Sequence, residues 1–291
     1  MFLGNIRGNV YSQRHVSKSV IDPGFWSFSL DEPTDYDLPA MIAFVQRVTG
    51  HEKIAFVGWS LGTTLMFGLQ SNRPEYADVI EPFVAMAPIA FIHHLRSPYT
   101  VLFPLTIPSQ DTNIGYFHND GYRAALQAIC SPTSAQRELC LQLIFELLGH
   151  NRRAFNLDRA PTYFHHFPSG SSLKLFAHYS QNLVSKKYAR FNHGVAGNKK
   201  RYGTVLPPEY NLTNIRSESI ILVTGENDWL ANPADVQLLV SKLTVKPLKW
   251  YNMTEVDPMW NHLDFCYHKD VAKLLNPLVV REVEQFDRGS S

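Results

Sequence analysis

Apolar positions recur along this chain at two periods, and the periods alternate in blocks. Leu38, Ile42 and Val45 fall near helical spacing, with Pro39 suited to a first turn, which predicts a helix over 38–48. The short apolar run at 53–58, KIAFVG, suits a buried parallel strand, and a helical stretch follows from Leu61 to about Leu69. Residues 83–87 form another apolar run, stopped by Pro88. Ahead of all these, FLGNIRGN at 2–9 reads as the end of a strand entering a glycine-bearing turn.

From about residue 90 to 216 the pattern changes. Helical pieces over 124–130 and 138–148 are separated by loops rich in aromatics, His and Pro. Alternation then resumes with a strand at 219–225, a helix over 233–243, a strand near 248–251 and a last helix from about Lys269. Two α/β blocks, 1–89 and 217–291, flanking a helical insertion at 90–216 predict one α/β domain with a mostly parallel sheet and an inserted cap.

Composition adds little to that picture, but it removes several function classes. The 291 residues are 45% hydrophobic and 18% charged, ordinary values for a packed core. A net charge of +1, with Lys and Arg scattered, leaves no basic surface for a nucleic-acid partner. No apolar run reaches the roughly 18 residues of a transmembrane segment, and MFLGNIRGNVYSQRH lacks the apolar stretch of a secretory signal. Two features nevertheless suit the secretory pathway. Asn211 and Asn252 head the glycosylation sequons NLT and NMT, and Cys130 and Cys140 are spaced for a disulfide across a short loop. Two packed free thiols are the alternative, and Cys266 is left over.

Chemistry concentrates where a strand meets a helix. Gly58-Trp59-Ser60-Leu61-Gly62 has the G-x-S-x-G form of a nucleophile elbow, in the strand and helix context that form requires. Glycines on both sides of Ser60 are expected to relieve crowding in a sharply turned backbone. A serine hydroxyl needs a histidine to take its proton and an acid to orient that histidine, in chain order Ser, acid, His. Asp228, after the strand ending at Gly225, and His262, after the next strand, are the expected partners; Glu226 and Asp235 are rival acids, and Asp264 could serve only to fix the loop. The adjacent pairs His93-His94 and His165-His166 diverge in any regular structure. With no H-E-x-x-H, cysteine cluster, P-loop or G-x-G-x-x-G after a strand, neither metal nor cofactor is expected.

Several segments, in order along the chain, closely resemble the acid lipases, a family of α/β-hydrolase fold that includes gastric and lysosomal acid lipase. They are FLGNIRGNVYS at 2–12, FWSFSLDE at 25–32, YDLPA at 36–40, PSGSS at 168–172 and NHLDF at 261–265. The resemblance implies that Ser60 is nucleophile, Asp228 acid and His262 base. It implies a neutral lipid ester as substrate, a triacylglycerol or cholesteryl ester met at a lipid interface, and a secreted or lysosomal setting. Cys130 and Cys140 look like the family's cap disulfide. Family elbows usually read Gly-His-Ser-Gln-Gly, so Trp59 and Leu61 depart from the pattern, although the Leu61 amide can still donate to an oxyanion hole. Family members also carry an N-terminal portion whose His-Gly loop supplies the second oxyanion amide, and this sequence begins after it. The expectation is therefore an N-terminally truncated sheet lacking its first strands, with an apolar edge exposed and the rate lowered by on the order of 10²–10³ for one lost donor. An impaired chain with a lipid- or partner-binding role is the alternative, and an acyltransferase or peptidase on the same fold is a third reading. The aromatics Phe103, Tyr116, Phe117, Tyr163, Phe164 and Phe167 are expected to form a lid and acyl groove, or else the core of the helical insertion.

Overall fold

A computed structural model of the chain describes residues 1–102, 105, 113–116 and 119–287. By compactness these fall into two units: Met1–Met41, Pro98–Gln142 and Leu157–Tyr210 in the first, and Ile42–Ser97, Leu143–Asn156 and Asn211–Ser291 in the second.

Two stretches group differently from the segments that the pattern predicts, and hydrogen bonds explain both. Residues 1–41 cluster with most of the insertion. Asp31 is fully buried and accepts from the Tyr202 and Tyr210 hydroxyls at 3.0 and 2.8 Å and from Phe191 N at 3.1 Å, while Ser172 Oγ donates to Trp26 O at 2.5 Å. An acid at position 31 is tolerated in the interior because His178 and the Arg190 guanidinium, 4.0 Å away, lie beside it and these donors meet it. Residues 143–156 cluster instead with the second unit, where Asn151 bonds Asp257 and Asp264, and the Gly149 and Ala154 carbonyls accept from Asn261 Nδ2 and Lys269 N.

The second unit is built on four parallel strands. They are β1 (Ile54–Trp59), β2 (Ile80–Met86), β5 (Ile220–Thr224) and β6 (Lys249–Asn252), in the order β1-β2-β5-β6. The two-residue strands β3 (Gly115–Tyr116) and β4 (Ser171–Ser172) pair with each other in the first unit. Every residue of β5 is buried, as its unbroken IILVT predicts for a strand flanked on both sides. The apolar run at 53–58 predicts burial as well. In the structure β1 pairs with β2 alone among the described residues, and its burial alternates: Ala55 and Val57 (42%) are exposed, because successive side chains point to opposite faces and one face of this strand is uncovered.

Helix α1 (Leu38–Thr49) and helix α2 (Leu61–Asn72) take the predicted places, with nine residues of α2 buried. Two expectations fail. Residues 1–6 form no strand; the segment leads into a turn in which Gly8 has φ +81° and its N–H donates to Ser12 O. The last helix is interrupted, running Val271–Leu274 and then Asn276–Asp287, since Pro277 suits a first turn and cannot continue a preceding one.

Candidate active site

Registers Trp59 with Met86, Met86 with Val223 and Thr224 with Asn252 bring the carboxyl ends of the four strands level. Loops that leave this edge can therefore meet although they lie some 200 residues apart in sequence. Ser60 follows β1 directly with φ 52° and ψ −114°, a left-handed backbone that costs a non-glycine residue free energy unless its surroundings enforce it. Here they do. Ser60 N donates to Met86 O at 3.1 Å, and Ser60 O accepts from Thr63 N, Thr64 N and Thr63 Oγ1. A Cβ on Gly58 would stand 2.9 Å from Phe56 Cε1 and 3.1 Å from the Gly62 carbonyl carbon and Thr63 N, so any larger residue would push the strand and the helix start apart. Gly62 corrects the sequence expectation: among the described residues a Cβ there would meet nothing within 4 Å, and the crowding is at Gly58. Leu61 opens α2, and its N–H, like any at a first helical position, has no acceptor within the helix. This end of the helix is a natural site for developing negative charge.

The buried His262 ring spans two partners. Its Nε2 lies 2.8 Å from Ser60 Oγ, and its Nδ1 lies 3.0 and 2.9 Å from Asp228 Oδ1 and Oδ2. A carboxylate only accepts, so Nδ1 carries the proton and Nε2 is left as acceptor for the serine hydroxyl. Asp228, fully buried, is itself held by Leu230 N and Ala231 N, which donate to Oδ1 at 2.9 and 2.8 Å.

The other acids are engaged elsewhere. Glu226 accepts from Asn252 Nδ2, and buried Asp235 pairs with His94 at the start of the helix Pro233–Lys242. Asp264 holds the loop that carries His262: its Oδ2 accepts from Asn261 N at 2.9 Å and Asn151 Nδ2 at 2.8 Å, while Asn261 Oδ1 caps Leu263 N and Asp264 N. Burial, only partly offset by those two donors and reinforced by the charges of Asp257 and Asp228, pushes the Asp264 carboxyl up to about 7. Asn151 has no signal in the sequence, since it lies in the insertion and its part in the loop exists only through folding.

The remaining expected positions are spread over both units. Cys130 and Cys140 are disulfide-bonded in the first unit, Cα to Cα 5.6 Å, and Cys266 remains a thiol. Asn211 is exposed and its side chain caps Thr213 N; Asn252 is half-buried and caps Thr254 N. Among the expected lid aromatics, Phe164 is buried and Tyr116 stands edge-on to Phe176 at 5.1 Å, while Tyr163 and Phe167 are partly exposed. Phe103 and Phe117 lie outside the described residues. Among the described residues no group of three His, Cys, Asp or Glu could hold a metal ion, and no helix is long and apolar enough to cross a membrane.

Residues 1–269 match the family described as alpha/beta hydrolase fold. The chain belongs to that family. Among curated relatives this α/β hydrolase is 34% identical to the human "Lysosomal acid lipase/cholesteryl ester hydrolase", over 96% of this chain and 70% of the relative. It is 36% identical to the "Gastric triacylglycerol lipase" of Bos taurus, over 94% and 68%, and 33% identical to "Lipase lipl-5" of Caenorhabditis elegans, over 92% and 68%. Within the α/β hydrolases it is thus a member of the acid lipase group. Ser60 on a strained turn between strand and helix, followed in chain order by an acid and a histidine, is the arrangement expected of this fold.

Proposed function

We propose that this α/β hydrolase is a serine lipase that cleaves neutral lipid esters through an acyl-enzyme on Ser60. The observation that carries the reading is the hydrogen-bonded series from Ser60 Oγ through His262 to Asp228, at 2.8 and 2.9 Å. The substrate class, triacylglycerols or cholesteryl esters, rests on the likeness to the gastric and lysosomal lipases, as does a secreted or lysosomal setting, which suits the disulfide and the sequons at Asn211 and Asn252.

In the proposed reaction His262 Nε2 takes the Ser60 proton as Oγ attacks the ester carbonyl, and the tetrahedral oxyanion draws on the Leu61 N–H. The imidazolium then protonates the departing alcohol. Water, deprotonated by the same nitrogen, releases the fatty acid and restores Ser60. Asp228 keeps the imidazole in the useful tautomer and balances its charge while it is protonated. No cofactor takes part.

Hydrolysis of a fluorogenic medium-chain ester at mildly acidic pH, by the parent and by Ser60→Ala, tests this. The expected result is turnover in the parent that falls on the order of 10³-fold or more in the variant. A folded parent with no turnover would replace the enzyme reading with a lipid- or partner-binding role.

A further inference from the structure

His262 has a third contact that the reaction scheme does not use. Trp59, the last residue of β1 and immediately before Ser60, donates its indole Nε1–H to the His262 carbonyl oxygen at 3.2 Å. The indole ring also lies against the imidazole, with centroids 5.4 Å apart and planes tilted by 33°. On its other contact Tyr267 meets the indole edge-on, with centroids 6.5 Å apart. The histidine is thus gripped at three places: Nδ1 by Asp228, Nε2 by Ser60, and backbone plus ring face by the residue that precedes the serine.

We propose that Trp59 is a positioning residue for His262, one that fixes the loop bearing the imidazole and sets its indole face against the ring that takes the serine proton. This rests on the serine hydrolase reading and adds a specific role to it. A hydrogen bond to the carbonyl limits movement of the backbone from which the imidazole would swing away from Ser60. The charge that His262 acquires when it takes the serine proton lies within about 6 Å of an indole centroid, the range in which the negative face of the ring attracts a cation, and indole is the strongest aromatic partner. Because Trp59 and Ser60 are adjacent, the same strand end sets the nucleophile and its base. Misplacement of one relative to the other is thereby reduced.

The test compares Trp59→Leu, which removes donor and ring face, with Trp59→Phe, which keeps a ring face and removes the donor. Ester turnover by the parent and by Ser60→Ala is measured beside them. For Trp59→Leu we expect kcat about tenfold lower and KM within about twofold. Trp59→Phe should lie between Leu and parent in kcat. A readout that needs no turnover accompanies these: the downfield proton resonance of His262 Nδ1–H against Asp228 should be sharp in the parent and broadened by solvent exchange in Trp59→Leu. A Leu variant with the parent's kcat, or with its loss confined to KM, overturns the role while Ser60 dependence keeps the hydrolase reading. If the parent has no Ser60-dependent turnover, that reading fails, and an unchanged Nδ1–H resonance in Trp59→Leu overturns the positioning role by itself.

Discussion

Asp264 offers a sharp test of the loop that carries His262, because its effect on stability should depend on pH in a defined direction. The side chain is 2% exposed, and burial together with the negative charges of Asp257 and Asp228 pushes its carboxyl from the ordinary 3.8 up to about 7, against the pull of the Asn261 and Asn151 donors. The folded protein therefore holds this proton more tightly than the unfolded chain does. Below about pH 4 both states are protonated and the group contributes no pH dependence. As pH rises from about 4 to 7 the unfolded chain gives up the proton first, so stability falls, and above about 7 the full cost is present. At 1.36 kcal/mol per pH unit the displacement from 3.8 to about 7 amounts to about 4 kcal/mol. Asp264→Asn is the matching perturbation: its amide oxygen can accept from Asn261 N and Asn151 Nδ2 as Oδ2 does now, with no charge to bury. Melting temperatures of parent and variant across pH 4 to 8 should coincide at the acid end, diverge between about pH 4 and 7, and keep a constant gap above that. The variant should be the more stable there by about 5–10 °C. Parallel curves, or divergence at the acid end, would mean that burial does not hold the Asp264 proton.

Other outcomes follow from single contacts. Asp228→Asn presents an amide to His262 Nδ1 and favours the wrong tautomer, so kcat should drop on the order of 10⁴-fold with the fold intact, checked by steady-state kinetics and circular dichroism. Asp31→Ala strands the Tyr210 hydroxyl and the Phe191 N–H, while the Tyr202 hydroxyl keeps the Phe191 carbonyl as acceptor, and denaturant titration of the first unit's signal should show a loss of about 2–4 kcal/mol. Replacing Cys130 and Cys140 together by Ser opens a crosslink between positions separated by 10 in sequence, which loop-closure entropy values at about 3 kcal/mol; the same titration of oxidised parent and double variant measures it.

Much of the second unit is legible in the residue pattern. The runs at 53–58, 83–87 and 219–225 are short, apolar and bounded by turn residues, and local pattern suffices to place such strands. The G-x-S-x-G form, with Asp228 and His262 each following a later strand, restricts the site to a few residues. The resemblance of the flanking motifs narrows it further. The pattern also keeps Glu226 and Asp235 open as acids, because chain order alone cannot tell which carboxylate turns toward a given histidine. That choice depends on where two loops from β5 and β6 end in space, and the Leu230 and Ala231 amides that orient Asp228 belong to its own turn.

What the residue order determined by itself was therefore local: strand, sharp turn and helix around Ser60, forced by Gly58 and the apolar run before it. Tertiary structure alone decided the long-range pairings. It placed Asn151, from an insertion that reads as cap, beneath the His262 loop. It closed the first 41 residues around Asp31 with donors from positions 191, 202 and 210, and it set the Trp59 indole against His262, 203 positions away. Periodicity reports which face of an element is apolar. It carries no record of which buried donor will find which acceptor, because that is settled only when the packed elements leave each polar group a single partner within reach.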